Sequence, residues 1–108
     1  MNDSQYSLYI LRCRDGSLYT GIAIDVAKRL LEHEHGKRGA KFLRGRGPLC
    51  LVFEQLLGDR SVATRAEHQV KRLDRAQKEA LISGDTSLVS LLRAAAAPGD
   101  HASGVSAG

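Results

Sequence analysis

Residues 5–13 alternate only weakly between apolar and polar, but they are rich in Tyr, Leu and Ile, which predicts a first strand. Leu18–Ile22 reads as its partner. A two-residue turn at Asp15-Gly16 would pair Arg14 with Ser17 and send Tyr9 and Tyr19 to opposite faces, because strand side chains alternate. A three-residue loop of Arg14-Asp15-Gly16, with Gly16 in the left-handed bulge position, pairs Cys13 with Ser17 instead. Tyr9 then lies opposite Gly21, Leu11 lies opposite Tyr19, and both phenols point the same way. We expect the three-residue loop. Gly21 has no Cβ, which leaves room beside Tyr9.

Farther along, the apolar period changes to that of helices. Asp25 predicts an N-cap for a helix running to about His35, with Gly36 as its stop. Val26, Ala27, Leu30 and Leu31 form its expected buried stripe. Arg29 and His33, spaced i and i+4, sit together just beyond one margin of that stripe. After Pro48, Leu49–Phe53 is a continuous apolar run of the kind a strand shows when both faces are covered. Gly58–Ser61 predicts a turn, with Ser61 or Asp59 capping a helix over Val62–Leu73. The stripe of that helix is Val62, Ala63, Ala66, Val70 and Leu73, and Glu67 falls about 40° outside it. Asp74 with Gln77 offers a capping box for a helix to Ile82, closed by Ser83-Gly84. Thr86 or Ser87 would cap a further turn or two through Arg93. The predicted order is β-β-α-β-α-α, an α+β chain without internal repeats.

Composition narrows the class. A chain of 108 residues is one domain, large enough to bury a core without disulfide or metal staples. We expect residues 1–93 to form it and 94–108, small residues with Pro98 and glycines, to be a disordered tail. Cys13 and Cys50 lack zinc-site spacing and read as buried cytosolic thiols. No signal-like segment or membrane-length apolar run is present, so the expectation is a soluble cytoplasmic protein.

Charge adds a locus. The formal net charge is +4, and the stretch from His33 to Gly47 carries Lys37, Arg38, Lys41, Arg44 and Arg46 against Glu34 alone. Interleaved with glycines, these cations suit the tracking of phosphates. The competing reading is a solvated loop serving solubility. Beside this loop stand two phenols, a guanidinium and an imidazole, a layout suited to chemistry on a phosphate. Each has an ordinary rival. The tyrosines could be strand aromatics packed for area. Arg29 could pair with Asp25 or Glu32, Glu67 could pair with Lys71, and His33 could be an exposed helix-terminal residue. His35, His68 and His101 read as surface residues, and no two histidines make a credible metal pair.

Taken together, Ser7-Leu8-Tyr9, Tyr19-Thr20-Gly21, Arg29, His33 and Glu67 resemble the GIY-YIG endonuclease domain over roughly residues 5–82. The similarity is greatest to its short stand-alone bacterial members, which share the Asp-Gly-Ser-Leu-Tyr-Thr-Gly hairpin and the basic loop. Ser7 stands where the first motif has glycine, and Thr20 where the second has isoleucine. The resemblance implies a small three-stranded antiparallel sheet flanked by helices. It also implies an endonuclease hydrolysing DNA phosphodiester bonds with one Mg²⁺ or Mn²⁺ ion, RNA being the alternative target.

Carried onto this chain, the resemblance makes Tyr9 or Tyr19 the group that takes the proton of the attacking water, Tyr9 in direct contact. A phenol with a solution pKa of ~10 needs cations beside it for that role. Arg29 would clamp the scissile phosphate, Glu67 would be the one protein ligand to the metal, and His33 would hydrogen-bond or relay a proton. Gly21 would permit close backbone approach, and Lys37, Arg38, Lys41, Arg44 and Arg46 would hold DNA. Many family nucleases carry an asparagine shortly after the glutamate, and this chain has none beyond Asn2. The expected activity is structure-tolerant cutting of the kind repair or recombination uses. The alternative is a nucleic-acid-binding module with the same fold and little cleavage.

Overall fold

A computed structural model describes residues 5–35, 41–85, 87 and 90. Three antiparallel strands form one sheet in the order β2-β1-β3. They are β1 (Tyr6–Arg12), β2 (Leu18–Ala23) and β3 (Cys50–Gly58), accompanied by the helices α1 (Val26–His35), α2 (Arg60–Lys71) and α3 (Arg75–Ile82). A single 3₁₀ turn, Lys41–Leu43, precedes β3. The order is β-β-α-β-α-α, as the pattern predicts.

The hairpin adopts the three-residue loop. Gly16 has φ +89°, Cys13 N–H donates to the Ser17 carbonyl at 2.9 Å, and Gly16 N–H donates to the Cys13 carbonyl at 2.9 Å. The register follows, with Tyr9 opposite Gly21 and Leu11 opposite Tyr19. Asp15 completes the loop by accepting from the Ser17 N–H at 3.0 Å and the Ser17 hydroxyl at 2.6 Å.

The central strand is β1, and it divides two cores. Leu8 and Ile10 point to one face, where Val62, Ala66 and Val70 of α2 and Leu81 of α3 cover them. Tyr9, Leu11 and Cys13 point to the other, where Val26 of α1 and Leu43 and Leu49 from the segment before β3 close over them. Serving both layers explains why β1 alternates so weakly.

Two expectations about β3 are corrected. It runs on to Gly58 rather than ending at Phe53, and it is an edge strand, not one covered on both faces. Cys50 and Leu51 are exposed, so Cys50 is a surface thiol while Cys13 is buried. Ile10 lies opposite Phe53 and Leu11 opposite Leu51, so Val52 is an extra residue in the ladder. That bulge lets Val52 and Phe53 both pack on the α2/α3 side, and an apolar run with a bulge mimics a strand buried on both faces.

The helix caps match their sequence signals. Asp25 accepts from Lys28 N–H at 3.0 Å, Asp59 rather than Ser61 caps α2, and Asp74 with Gln77 forms the full capping box of α3. The predicted stripe of α2 is buried from Val62 to Val70, while Leu73 lies past the helix end and is half-buried.

The stripe of α1 is a correction. Ala27 is exposed and Leu31 is 55% exposed, while Val26, Leu30 and His33 face inward. Those three lie within about 60° on the helical wheel, so His33 belongs to the buried face rather than lying beyond its margin. A buried imidazole is tolerable only with a polar partner, and β1 supplies one.

Of the further turn expected after Thr86, Ser87 and Ser90 are described and both are helical. Lys37 and Arg38 of the basic loop, His101, and the tail 94–108 lie outside the described residues. Among the described residues no helix is long and apolar enough to cross a membrane.

Candidate active site

The face of the sheet that carries Tyr9 also carries Tyr19, on the adjacent strand and two residues along in register. Their ring centroids are 6.4 Å apart. His33 drops onto both from α1, its ring 6.1 Å from that of Tyr9 and edge-on to Tyr19 at 5.4 Å. The Tyr9 hydroxyl and His33 Nε2 are hydrogen-bonded at 2.9 Å. Arg29, one turn earlier on α1, brings its guanidinium beside the same phenol while pairing with Glu32 at 2.9 Å.

Gly21 makes this cluster possible. A Cβ built there would meet the Tyr9 hydroxyl at 2.5 Å and its Cζ at 2.7 Å. The missing side chain is therefore the seat of the Tyr9 phenol, which is how Gly21 serves the site.

Burial governs the electrostatics. Tyr9 is only 2% exposed, and its pKa rises to about 12, first because burial penalises the phenolate and then because Tyr19 is near. Arg29 opposes this rise without overcoming it. His33 shifts downward, first by burial and then by the Arg29 charge, so the imidazole stays neutral through physiological pH. Arg29 is held protonated above its ordinary value, chiefly by Glu32.

Glu67 comes from α2, on the other side of the sheet. Its half-buried carboxylate accepts from Lys71 at 3.2 Å, and its charge reaches Tyr9, contributing to the raised phenol pKa. The ordinary partners considered for Arg29 and Glu67 are both present, therefore, and both groups still lie around the tyrosines.

The basic loop separates into different roles. Arg46 pairs with Asp15 at 2.7 Å, and its carbonyl accepts the Arg14 N–H at 2.9 Å. This arginine straps the loop to the hairpin rather than waiting for DNA. Hydrogen bonds from Ser17, then Arg46, hold the Asp15 carboxyl below its usual range. Lys41 and Arg44 are exposed. Arg14, which sequence reasoning passed over, is exposed beside Arg44 on a cleft described below. Its only sequence signal was its place at the start of the hairpin loop.

Two phenols on facing strands, an Arg/His pair on the next helix and a carboxylate on the helix after β3 form an ordered set. Residues 5–80 match the GIY-YIG catalytic domain. The chain belongs to the GIY-YIG family. Membership places it among nuclease domains, whose substrates are nucleic acids. Its GIY-YIG domain is similar to small bacterial proteins of nearly its own length. It is 55% identical over 93 residues to the UPF0213 protein YE0453 of Yersinia enterocolitica, a match spanning 85% of this chain and 95% of that one. The UPF0213 protein of Cronobacter sakazakii is 47% identical over 94 residues, spanning 87% and 98%. Among solved structures, the solution NMR structure of protein EF2693 from E. faecalis is similar at 37% identity. It covers 76% of this chain and 86% of that one, with a TM-score of 0.54.

Proposed function

We propose that this GIY-YIG domain is an endonuclease that hydrolyses DNA phosphodiester bonds with the help of one divalent cation. The observation that carries the reading is the hydrogen-bonded Tyr9–His33 pair with Tyr19 and Arg29 packed against it. Tyr19 is the more open of the two phenols and is the one set to meet the attacking water. Tyr9 is buried and already engaged, which suits it to passing a proton inward rather than to touching water. Arg29 has only donors, so it takes a lone pair of the Tyr9 oxygen and leaves the phenol proton aimed at His33 Nε2. Neutral His33 is then the acceptor at the end of the relay. The Arg29 guanidinium also faces the phosphate, where its planar fork offsets the charge that grows at phosphorus.

Glu67 supports a place for Mg²⁺ or Mn²⁺. Mg²⁺ is usually held by one or two carboxylates, with waters and substrate phosphates completing its shell. Among the described residues no three His, Cys, Asp or Glu side chains converge as they would in an all-protein cage, and a single half-buried carboxylate fits the Mg²⁺ habit. When bound, the ion would supply Lewis-acid stabilisation of the leaving 3′-oxygen. Glu67 would hold it, and Lys71 would give up its pairing.

The second reading, a binding module with little cleavage, draws support from the Arg29–Glu32 and Glu67–Lys71 pairs, which occupy both charged groups. Supercoiled and branched DNA incubated with Mg²⁺, or with chelator, separates the two. The nuclease reading expects metal-dependent nicking that falls ~10²–10³-fold in Arg29→Ala and is lost in Glu67→Ala. Salt-sensitive binding without nicking in any metal would overturn it.

A further inference from the structure

An open cleft of about 970 Å³ lies between the hairpin loop and the segment that leads into β3. His33 is among its lining residues, so the cleft adjoins the tyrosine cluster. Its floor is apolar, built from Leu43 and Leu49, which are both buried. Its rim carries Arg14 from one side and Arg44 from the other.

What sets these two arginines apart is that they share one cleft with their charge unspent. Arg60, Arg65 and Arg72 likewise form no ion pair with a described residue, but they belong to α2 and its C-cap and do not line the cleft. Arg12 is committed to Glu79, Arg29 to Glu32, Arg46 to Asp15 and Arg75 to Glu79. Arg14 and Arg44 form no ion pair with any described residue, although Glu34 also lines the cleft. Two exposed guanidiniums against the one carboxylate of Glu34 leave the cleft lining net positive, a field that attracts a polyanion.

The rim is also braced. The Arg46–Asp15 pair and the Arg14 N–H bond to the Arg46 carbonyl tie the hairpin loop to the segment bearing Arg44. Both cations are thus presented from backbone already fixed, which lowers the ordering cost of gripping a ligand.

We infer that this cleft seats the stretch of nucleic-acid strand next to the scissile phosphate, with Arg14 and Arg44 each holding a phosphate of the backbone. The choice of ligand rests on the nuclease reading, whereas the charge, cleft and bracing stand apart from it. Phosphate contacts of this kind position a strand and carry no base information. A bidentate guanidinium suits a phosphate better than a lysine does. Asp15 and Arg46 are positioning residues here, acting through the two loops they join.

The test is binding of a fluorescein-labelled DNA oligonucleotide in chelator, followed by anisotropy from low to moderate salt. The proteins are the parent, Arg14→Ala, Arg44→Ala, the double variant and Lys78→Gln, a charge change on α3. Each cleft arginine should contribute about 1 to the slope of log affinity against log salt, and each loss should weaken binding on the order of tenfold. Lys78→Gln should match the parent. A double variant whose slope and affinity equal those of the parent or of Lys78→Gln would overturn the inference. Plasmid nicking with Mg²⁺ keeps the two conclusions separate. Nicking by the parent that also persists unchanged in the double variant leaves the nuclease reading standing and removes the cleft. Arginine-dependent binding without nicking removes the nuclease and keeps the cleft. A parent that neither binds nor nicks removes both.

Discussion

Replacing Gly21 by alanine isolates the steric condition on which the site depends. The backbone there lies outside the left-handed region, so alanine suits its dihedrals and the consequence is one of space alone. The new Cβ would sit 2.5 Å from the Tyr9 hydroxyl and 2.7 Å from Cζ, inside any ordinary contact distance. The phenol must retreat, yet it is 2% exposed and tied to His33 at 2.9 Å. Overpacking a filled core costs about 1–3 kcal/mol, and loss of the hydrogen bond adds about 0.5–1.5 kcal/mol. The stiffer unfolded chain returns about 0.4–1 kcal/mol. The net is about 2 kcal/mol, a fall of roughly 10 °C in Tm for a domain of this size. Thermal melts followed by circular dichroism, in the parent and in a Tyr9→Phe background, provide the assay. Phenylalanine removes the nearest atom and frees the ring from His33, so the alanine penalty should shrink by about 1 kcal/mol there. A Gly21→Ala protein melting within about 2 °C of its parent would refute the reasoning. So would an equal penalty in both backgrounds.

Other outcomes follow from the same contacts. Tyr9 has a raised folded pKa of about 12 against ~10 unfolded, so its stabilisation is whole below pH 10 and is lost as pH rises through 12, on the order of 3 kcal/mol. Denaturant midpoints across that range should show an alkaline limb that Tyr9→Phe flattens. His33 is depressed, so its contribution is present above ~6.5, the unfolded value, and falls away in acid, and His33→Gln should remove that part of the acid limb. Glu79 accepts from Arg12 through two bonds of 2.7 Å and also from Arg75, which hold its pKa near about 2. The difference in midpoint between Glu79→Gln and the parent should persist at pH 5–7 and vanish as pH falls through about 2. An aromatic disulfide reagent should modify one thiol per native chain, Cys50, and a second only after unfolding; rapid labelling of Cys13 in the native state would contradict its burial.

Local chemistry was legible in the sequence, and long-range chemistry was not. The hairpin register could be read because Gly16 admits one loop that keeps both phenols on one face. The α3 capping box could be read because Asp74 and Gln77 act within a single turn. The rotation of α1 could not, since hydrophobicity places Leu31 inside and His33 at the margin. The hydroxyl of Tyr9, 24 residues away in sequence, gives the buried imidazole a polar partner that local periodicity cannot foresee. β3 misled for a related reason, because an edge strand with a bulge has the same apolar run as a covered one. Arg46 looked like a DNA contact until its pairing with Asp15, 31 residues back, was visible. Arg14 gave almost no sign, because its worth depends on which segment folds down opposite it.

From Ser7 through Leu11 the middle strand offers no idle position, since every side chain there is enclosed on one side or the other. Reactivity and cohesion are consequently spliced into the same few residues. A change that dulls the phenol also loosens the molecule, so an inactive variant must be shown to be intact before its loss is ascribed to chemistry. Adjustments in what the protein grips have freer ground at the loops, where a guanidinium can come or go and leave the interior undisturbed.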